Sequence, residues 1–230
     1  MKKLFYILLA AGLFFGFTSC EDDEPVTDQP QTEIPDNGDD ENENDNENGN
    51  DDPENPNPVE GDILVVYYSY TNNTHTIVTD LLTQIEAGVV RIEPAEKGLD
   101  YAANNYALGS ALIAAIRENP NDASSYPAID PVEVELENYA TVIVAAPLWW
   151  SNMAAPLQTF LFNHGSEMVG KNIGLIVSSA SSGISGVEAD AKRLIPEGNF
   201  LTPSLWIRSS QTSNCHAMTA EWLENIGLIE

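Results

Sequence analysis

Apolar and polar positions divide the chain into three regimes: residues 4–17 are almost continuously apolar, residues 21–60 are polar with few exceptions, and from Gly61 onward short apolar runs alternate with helix-period segments. The first of these runs, Ile63-Leu64-Val65-Val66-Tyr67-Tyr68, is entered from Gly61 and Asp62 and has the unbroken apolar content of a parallel strand covered on both faces. Behind it, Ile77, Val78, Leu81, Leu82 and Ile85 recur at three- and four-residue spacing, which predicts a helix capped by Thr74 and running to about Glu86. Further strands are predicted at residues 89–93, 141–146, 172–179 and about 201–207. Helices are predicted at 101–118, from the loop after 179 to about Ile195, and around 219–226. An enlarged connection, residues 97–134, holds the 101–118 helix and the turn signals Asn119-Pro120-Asn121-Asp122 and Tyr126-Pro127. Tyr101 and Tyr106 within it are read as packing residues that could also approach a ligand.

The loops that leave three of these strands have unusual content. The first strand opens into Ser69-Tyr70-Thr71-Asn72-Asn73-Thr74. This is either an ordinary capping turn or a loop whose backbone N–H groups and hydroxyls converge on one phosphate at a helix N-terminus. With no Lys or Arg in it, it is not a triphosphate loop, which needs a Gly-Lys-Ser/Thr ending. The 141–146 strand opens into Pro147-Leu148-Trp149-Trp150-Ser151-Asn152-Met153. Neighbours on a strand alternate faces, so two adjacent tryptophans cannot both point inward and at least one faces the cleft, offering a large flat apolar surface. The 172–179 strand opens into Ala180-Ser181-Ser182-Gly183-Ile184. In an open parallel sheet such loops lie side by side at the strand C-termini, where ligands bind.

In this order, residues 69–74, the Pro147-Leu148-Trp149-Trp150 turn with Pro156 and Phe160-Leu161 downstream, and Ser179-Ala180-Ser181-Ser182-Gly183 resemble the three flavin-contacting loops of the flavodoxin family. The resemblance covers about residues 62–230, and the double tryptophan points to a branch widespread in bacteria. It implies an α/β fold with a doubly wound five-stranded parallel sheet in the order 2-1-3-4-5, and a site for flavin mononucleotide (FMN). Ser69, Tyr70, Thr71, Asn72, Asn73 and Thr74 would hold the phosphate. The segment Pro147, Leu148, Trp149, Trp150, Ser151, Asn152 and Met153 would cover one isoalloxazine face. Ser179, Ala180, Ser181, Ser182, Gly183 and Ile184 would run along the pyrimidine edge. Many members carry Gly where this chain has Asn72. Asn is the next best residue for a left-handed conformation, so the loop can still form.

The resemblance implies a flavin-dependent redox protein, an electron carrier or a reductase, whose partner is a redox protein or a quinone-type small molecule. The alternative is a flavin-less binding module on the same scaffold, since a fold does not fix function. No residue is assigned a catalytic role, because the flavin carries the chemistry.

The start of the chain bears on location. Met1-Lys2-Lys3, the fourteen residues 4–17 and Thr18-Ser19-Cys20 have the layout of a secretory signal too short for a membrane span. Cys20 after small residues resembles the position at which bacterial lipoproteins are cleaved and acylated. Glu21-Asp22-Asp23-Glu24 resembles acidic surface-export signals. The expected organisation is a signal peptide over 1–19, a lipidated Cys20 with an acidic linker to residue 60, and the domain from 61 to 230. The protein would be held outside the cytoplasm, at the outer membrane or cell surface, by its lipid anchor.

Of the 36 acidic residues, 17 lie in residues 21–60 with no basic residue among them, a composition that cannot bury enough apolar surface to fold. The remaining 19 face seven basic residues in the domain, leaving it near −12. That balance excludes nucleic acid, whose phosphates demand cations. It suits a basic partner and disfavours an anionic reduced flavin. With Cys20 acylated, Cys215 is a single thiol and no intramolecular disulfide forms. His75, His164 and His216 are too scattered for a metal site. The serines near Gly183 lack the context of a hydrolase elbow.

Overall fold

The computed structural model describes residues 63–229; the expected signal peptide, Cys20 and the acidic linker lie outside the described residues. In chain order the elements are β1 (Ile63–Tyr67), α1 (Asn73–Leu81), β2 (Gly88–Arg91), α2 (Ala103–Glu118), β3 (Thr141–Trp149), β4 (Asn152–Met153), α3 (Ala155–His164), β5 (Asn172–Ser179), α4 (Ser185–Leu194), β6 (Asn199–Phe200), β7 (Leu205–Arg208) and α5 (His216–Asn225). The sheet runs β2-β1-β3-β5-β6, and β7 also pairs with β5. All of these pairings are parallel; β4 alone is antiparallel, folded back on β3.

The main strands thus follow the expected order 2-1-3-4-5, with seven strands where five were expected. Both additions have a local cause. Beyond Ala146 the third strand continues to Trp149 and turns back through Trp150 and Ser151 into β4. The last strand breaks into β6 and β7 around Thr202 and Pro203, where proline has no N–H to give to the ladder. The first helix stops at Leu81, short of the expected Glu86. Thr83 donates both its N–H (2.9 Å) and its hydroxyl (2.7 Å) to the carbonyl of Asp80, closing the end in a tighter turn.

Unbroken apolar content at β1, β3 and β5 reflects two cores on opposite faces of one sheet. Leu64, Val66, Val142, Val144, Leu175 and Val177 face the side packed by Ile113 and Ile116 of α2, Leu157 and Phe160 of α3, and Val187 and Ala191 of α4. Their neighbours Val65, Tyr67, Ile143, Ala145 and Ile176 face Ile77 and Leu81 of α1 and Trp222 and Leu223 of α5. The period-two alternation of the strand puts every second side chain into each core. With both faces covered, the C-terminal strand ends at Tyr67, Trp149, Ser179 and Arg208 form an edge from which loops reach into solvent.

Candidate flavin site

The loop between β1 and α1 is built around Asn72, whose φ of 61° and ψ of −3° are left-handed. Asparagine adopts this conformation at less cost than other side chains with a Cβ, which is how the turn closes without glycine. Ser69 is buried and its hydroxyl oxygen accepts from the N–H of His75 (3.2 Å). Thr74 is buried too, and shares a hydrogen bond with Ser178 at the end of β5 (2.8 Å). Asn73 donates to the hydroxyls of Thr71 and Ser209, each at 3.3 Å. Among the described residues, the five backbone N–H groups of residues 70–74 donate to no protein acceptor. Five donors in succession at the head of a nine-residue helix with no acidic residue in its first turn make a cradle for a dianion. The residues present fit the phosphate of a mononucleotide.

Pro147, Leu148 and Trp149 are half-buried on β3, while Trp150 and Ser151 are exposed at the hairpin tip. Trp150 (φ 46°) and Ser151 (φ 63°) are both left-handed, as a two-residue hairpin loop requires, but neither is a residue that favours it. Such strain persists only where surrounding contacts over-determine it. Here Arg117 donates to the carbonyl of Trp150 and, through Nε, to Oδ1 of Asn152 (2.7 Å). The carboxylate of Asp190, buried on α4, accepts from Asn152 Nδ2 (2.8 Å) and the N–H of Met153 (2.9 Å).

The two tryptophans have different surroundings. The Trp149 ring sits among Tyr101 (4.8 Å between centroids), Tyr68 (5.7 Å) and Tyr70 (6.5 Å), forming an aromatic wall at the β1 end. Trp150 is 40% exposed and lies over Gly109 of α2, where a β carbon would come within 2.9 Å of its ring, with Tyr106 edge-on at 6.5 Å. The first turn of α2 is itself left-handed at Asn104, Asn105 and Tyr106. Met153 is fully buried in the core, and the side chain of Asn152 is turned toward Arg117 and Asp190.

Burial raises the phenol pKa of Tyr68 far above its ordinary value, and burial together with nearby Asp100 raises that of Tyr70. Tyr101 is likewise raised, by burial first. The wall is therefore neutral at physiological pH, an apolar surface suited to a flat heterocycle. Tyr70 is fixed by donating to Asp100 (3.2 Å) while its oxygen accepts from the N–H of Ala102 (3.1 Å).

In the third loop Ser179 is buried, Ala180, Ser181, Ser182 and Gly183 are exposed, and Ile184 is half-buried. Ser179 Oγ accepts from the indole N–H of Trp206 (2.8 Å) and donates to the carbonyl of Ser182 (3.0 Å), which shapes the loop. The Thr74–Ser178 bond joins this loop to the first, and the contact of Gly186 with Ser151 joins it to the second. All three predicted loops therefore meet at one end of the sheet. Sequence reasoning missed a fourth segment: Ser209, after β7, takes the hydrogen bond from Asn73 and donates to the carbonyl of Ser179 (3.3 Å). It also missed Arg117 and Asp190, which no local motif marks.

Cys215 stands apart. Its thiol is buried and its pKa raised, by burial first and then by the carboxylate of Asp80, so it is a poor nucleophile at neutral pH.

The fold is shared with solved structures. A candidate flavoprotein from Bacteroides eggerthii DSM 20697 superimposes with a TM-score of 0.58 at 22% identity, covering 76% of this chain and 100% of the other. One from Bacteroides uniformis ATCC 8492 gives 0.56 at 22% identity, covering 72% and 99%. A flavoprotein of Lactobacillus acidophilus NCFM, solved in complex with FMN, gives 0.53 at 17% identity, covering 67% and 97%. Among curated protein sequences none matches. The flavodoxin family model matches residues 62–226, which is most of the chain and all three loops, and on that match the protein belongs to the flavodoxin family.

Proposed function

We propose that this protein binds FMN and works as a redox protein, either carrying electrons or reducing a substrate at the flavin. The observation that carries the reading is the run of five backbone N–H groups at residues 70–74 that donate to no protein acceptor among the described residues, beside the neutral aromatic wall of Tyr68, Tyr70, Tyr101 and Trp149. The complex of the Lactobacillus acidophilus relative with FMN supports it. Bound FMN would supply one- and two-electron transfer. The chain's own part is to hold the phosphate with the amides and hydroxyls of the first loop, and to cover the ring with the tryptophan hairpin. The acidic domain favours a basic redox protein as partner, or a neutral quinone-type molecule, over an anionic substrate.

We propose separately that the protein is held outside the cytoplasm, with acylated Cys20 in a membrane and the acidic residues 21–60 as a spacer. This part rests on the sequence of the first sixty residues. Cys20→Ala should move the protein from the membrane fraction to the soluble or uncleaved pool, and an unmodified mature N-terminus elsewhere in the mass spectrum would rule the anchor out.

Titration of the full chain with FMN and with riboflavin tests the flavin reading. FMN should bind with a perturbed visible spectrum and more tightly than riboflavin, because the first loop offers its donors to the phosphate alone. Equal affinities would remove the phosphate assignment, and no spectral change with either ligand would leave a scaffold reused for other binding.

A further inference from the structure

A cavity of about 220 Å3 lies beside the tryptophan hairpin, lined from α2, α3 and α4 and by Asn152 of the hairpin. Its apolar lining is Ile113, Ile116 and Pro120, and its polar lining includes Arg117, Arg193 and Asp190. The charges do not cancel. Asp190 is matched by Arg193, whose Nη2 lies 3.2 Å from it, and both oxygens of Asp190 are engaged. Arg193 is further held by the oxygen of Gln158 (2.8 Å) and the hydroxyl of Tyr126 (3.0 Å). Arg117 makes no ion pair among the described residues, although the domain carries a large excess of acid. Its Nη1 and the Nε of Arg193 donate to no protein acceptor there.

We propose that this cavity is a binding site for a small organic monocarboxylate, separate from the flavin site. The net positive charge of Arg117, Arg193 and Asp190 attracts an anion, and phosphate, strongly hydrated and with no hydrocarbon part, gains nothing from the apolar wall. The unused donors of Arg117 and Arg193 suit a carboxylate, which a guanidinium binds with geometric specificity. The isoleucines and the proline take the hydrocarbon part. At about 220 Å3 the cavity is below the roughly 300–1,000 Å3 of sites for drug-sized ligands, so the ligand is small. Arg117 also donates to the carbonyl of Trp150, so occupancy is read at the hairpin.

Benzoate is the probe, with benzyl alcohol as its neutral counterpart and inorganic phosphate as an anion without a hydrocarbon part, each titrated into the flavin-free full chain so that the outcome is independent of the flavin reading. Saturable benzoate shifts should appear at the NMR signals of Arg117 Nε–H, Arg193 Nε–H and the Asn152 amide, with benzyl alcohol at least about tenfold weaker and phosphate without effect there. Arg117→Leu should weaken benzoate by at least about tenfold. Should that variant fail to fold, the localisation of shifts in the wild-type protein decides. Non-saturable shifts, shifts confined to residues 69–74, or equal response to benzoate and benzyl alcohol would overturn the proposal.

Discussion

The carbonyl oxygen of Ser151 rests against the Cα of Gly186, so closely that a β carbon on residue 186 would overlap it. The tryptophan hairpin and the head of α4 touch through this contact, and glycine is the residue that permits it. Gly186→Ala should therefore force the hairpin away from the head of α4. The expected cost is about 1–3 kcal/mol of stability, the scale of an overpacked contact, together with weaker FMN binding. Urea denaturation and flavin titration of the same variant measure the two effects; an unchanged denaturation midpoint would show that the hairpin moves freely.

Asn72 separates backbone conformation from side-chain chemistry, because its left-handed φ of 61° sits in the middle of the first loop. Asn72→Gly should keep both stability and FMN affinity close to wild type, whereas Asn72→Val should lose about 1–2 kcal/mol of stability, the cost of a branched residue in that region. Paired denaturation and titration curves check this. A loss of affinity in the glycine variant would give the asparagine side chain a direct part in binding.

Trp149 and Trp150 should respond differently to alanine. Trp149 is packed among three tyrosines, so its loss should lower folding stability by about 3 kcal/mol or more as well as flavin binding. Trp150 is 40% exposed, so Trp150→Ala should cost less stability than Trp149→Ala while weakening FMN by about 1–3 kcal/mol, the scale of a lost stacking partner. Flavin fluorescence quenching that survives both substitutions would place the ring elsewhere.

The buried tyrosines predict the alkaline limit of the fold. The Tyr68 phenol ordinarily ionises near 10.0, and burial raises it well above that in the folded chain. As pH rises past the ordinary value, the unfolded chain releases this proton and the folded chain keeps it, so stability is full below about pH 10 and falls above it. Tyr70, Tyr101 and Tyr139 are raised as well and add to the slope. Tyr68→Phe should make the decline shallower without abolishing it, as read from urea midpoints across about pH 8 to 11. An equally steep decline in the variant would take Tyr68 out of the account.

What the sequence by itself determined was the sheet and the three loops. Strands apolar at every position can only be covered on both faces, so β1, β3 and β5 were legible from Val, Ile and Leu content alone, and the helix of Ile77, Val78 and Leu81 from its spacing. The loops were legible because each follows its strand directly in the chain. The left-handed place of Asn72 was legible through the family resemblance, since many members carry Gly there, and Asn is a residue type that tolerates it. Only the tertiary structure decided what depends on distant residues. The strained Trp150–Ser151 turn is held by Arg117, Asp190 and Gly186, which lie 33 or more positions away and carry no signature of their own. Ser209 enters the first loop's hydrogen bonds from 136 residues downstream. Which tryptophan joins the aromatic wall and which meets solvent depends on how the hairpin packs against Gly109 of α2. Local pattern encodes the backbone state of each segment, whereas the contacts that hold a loop against its own strain exist only once the helices have closed over the sheet.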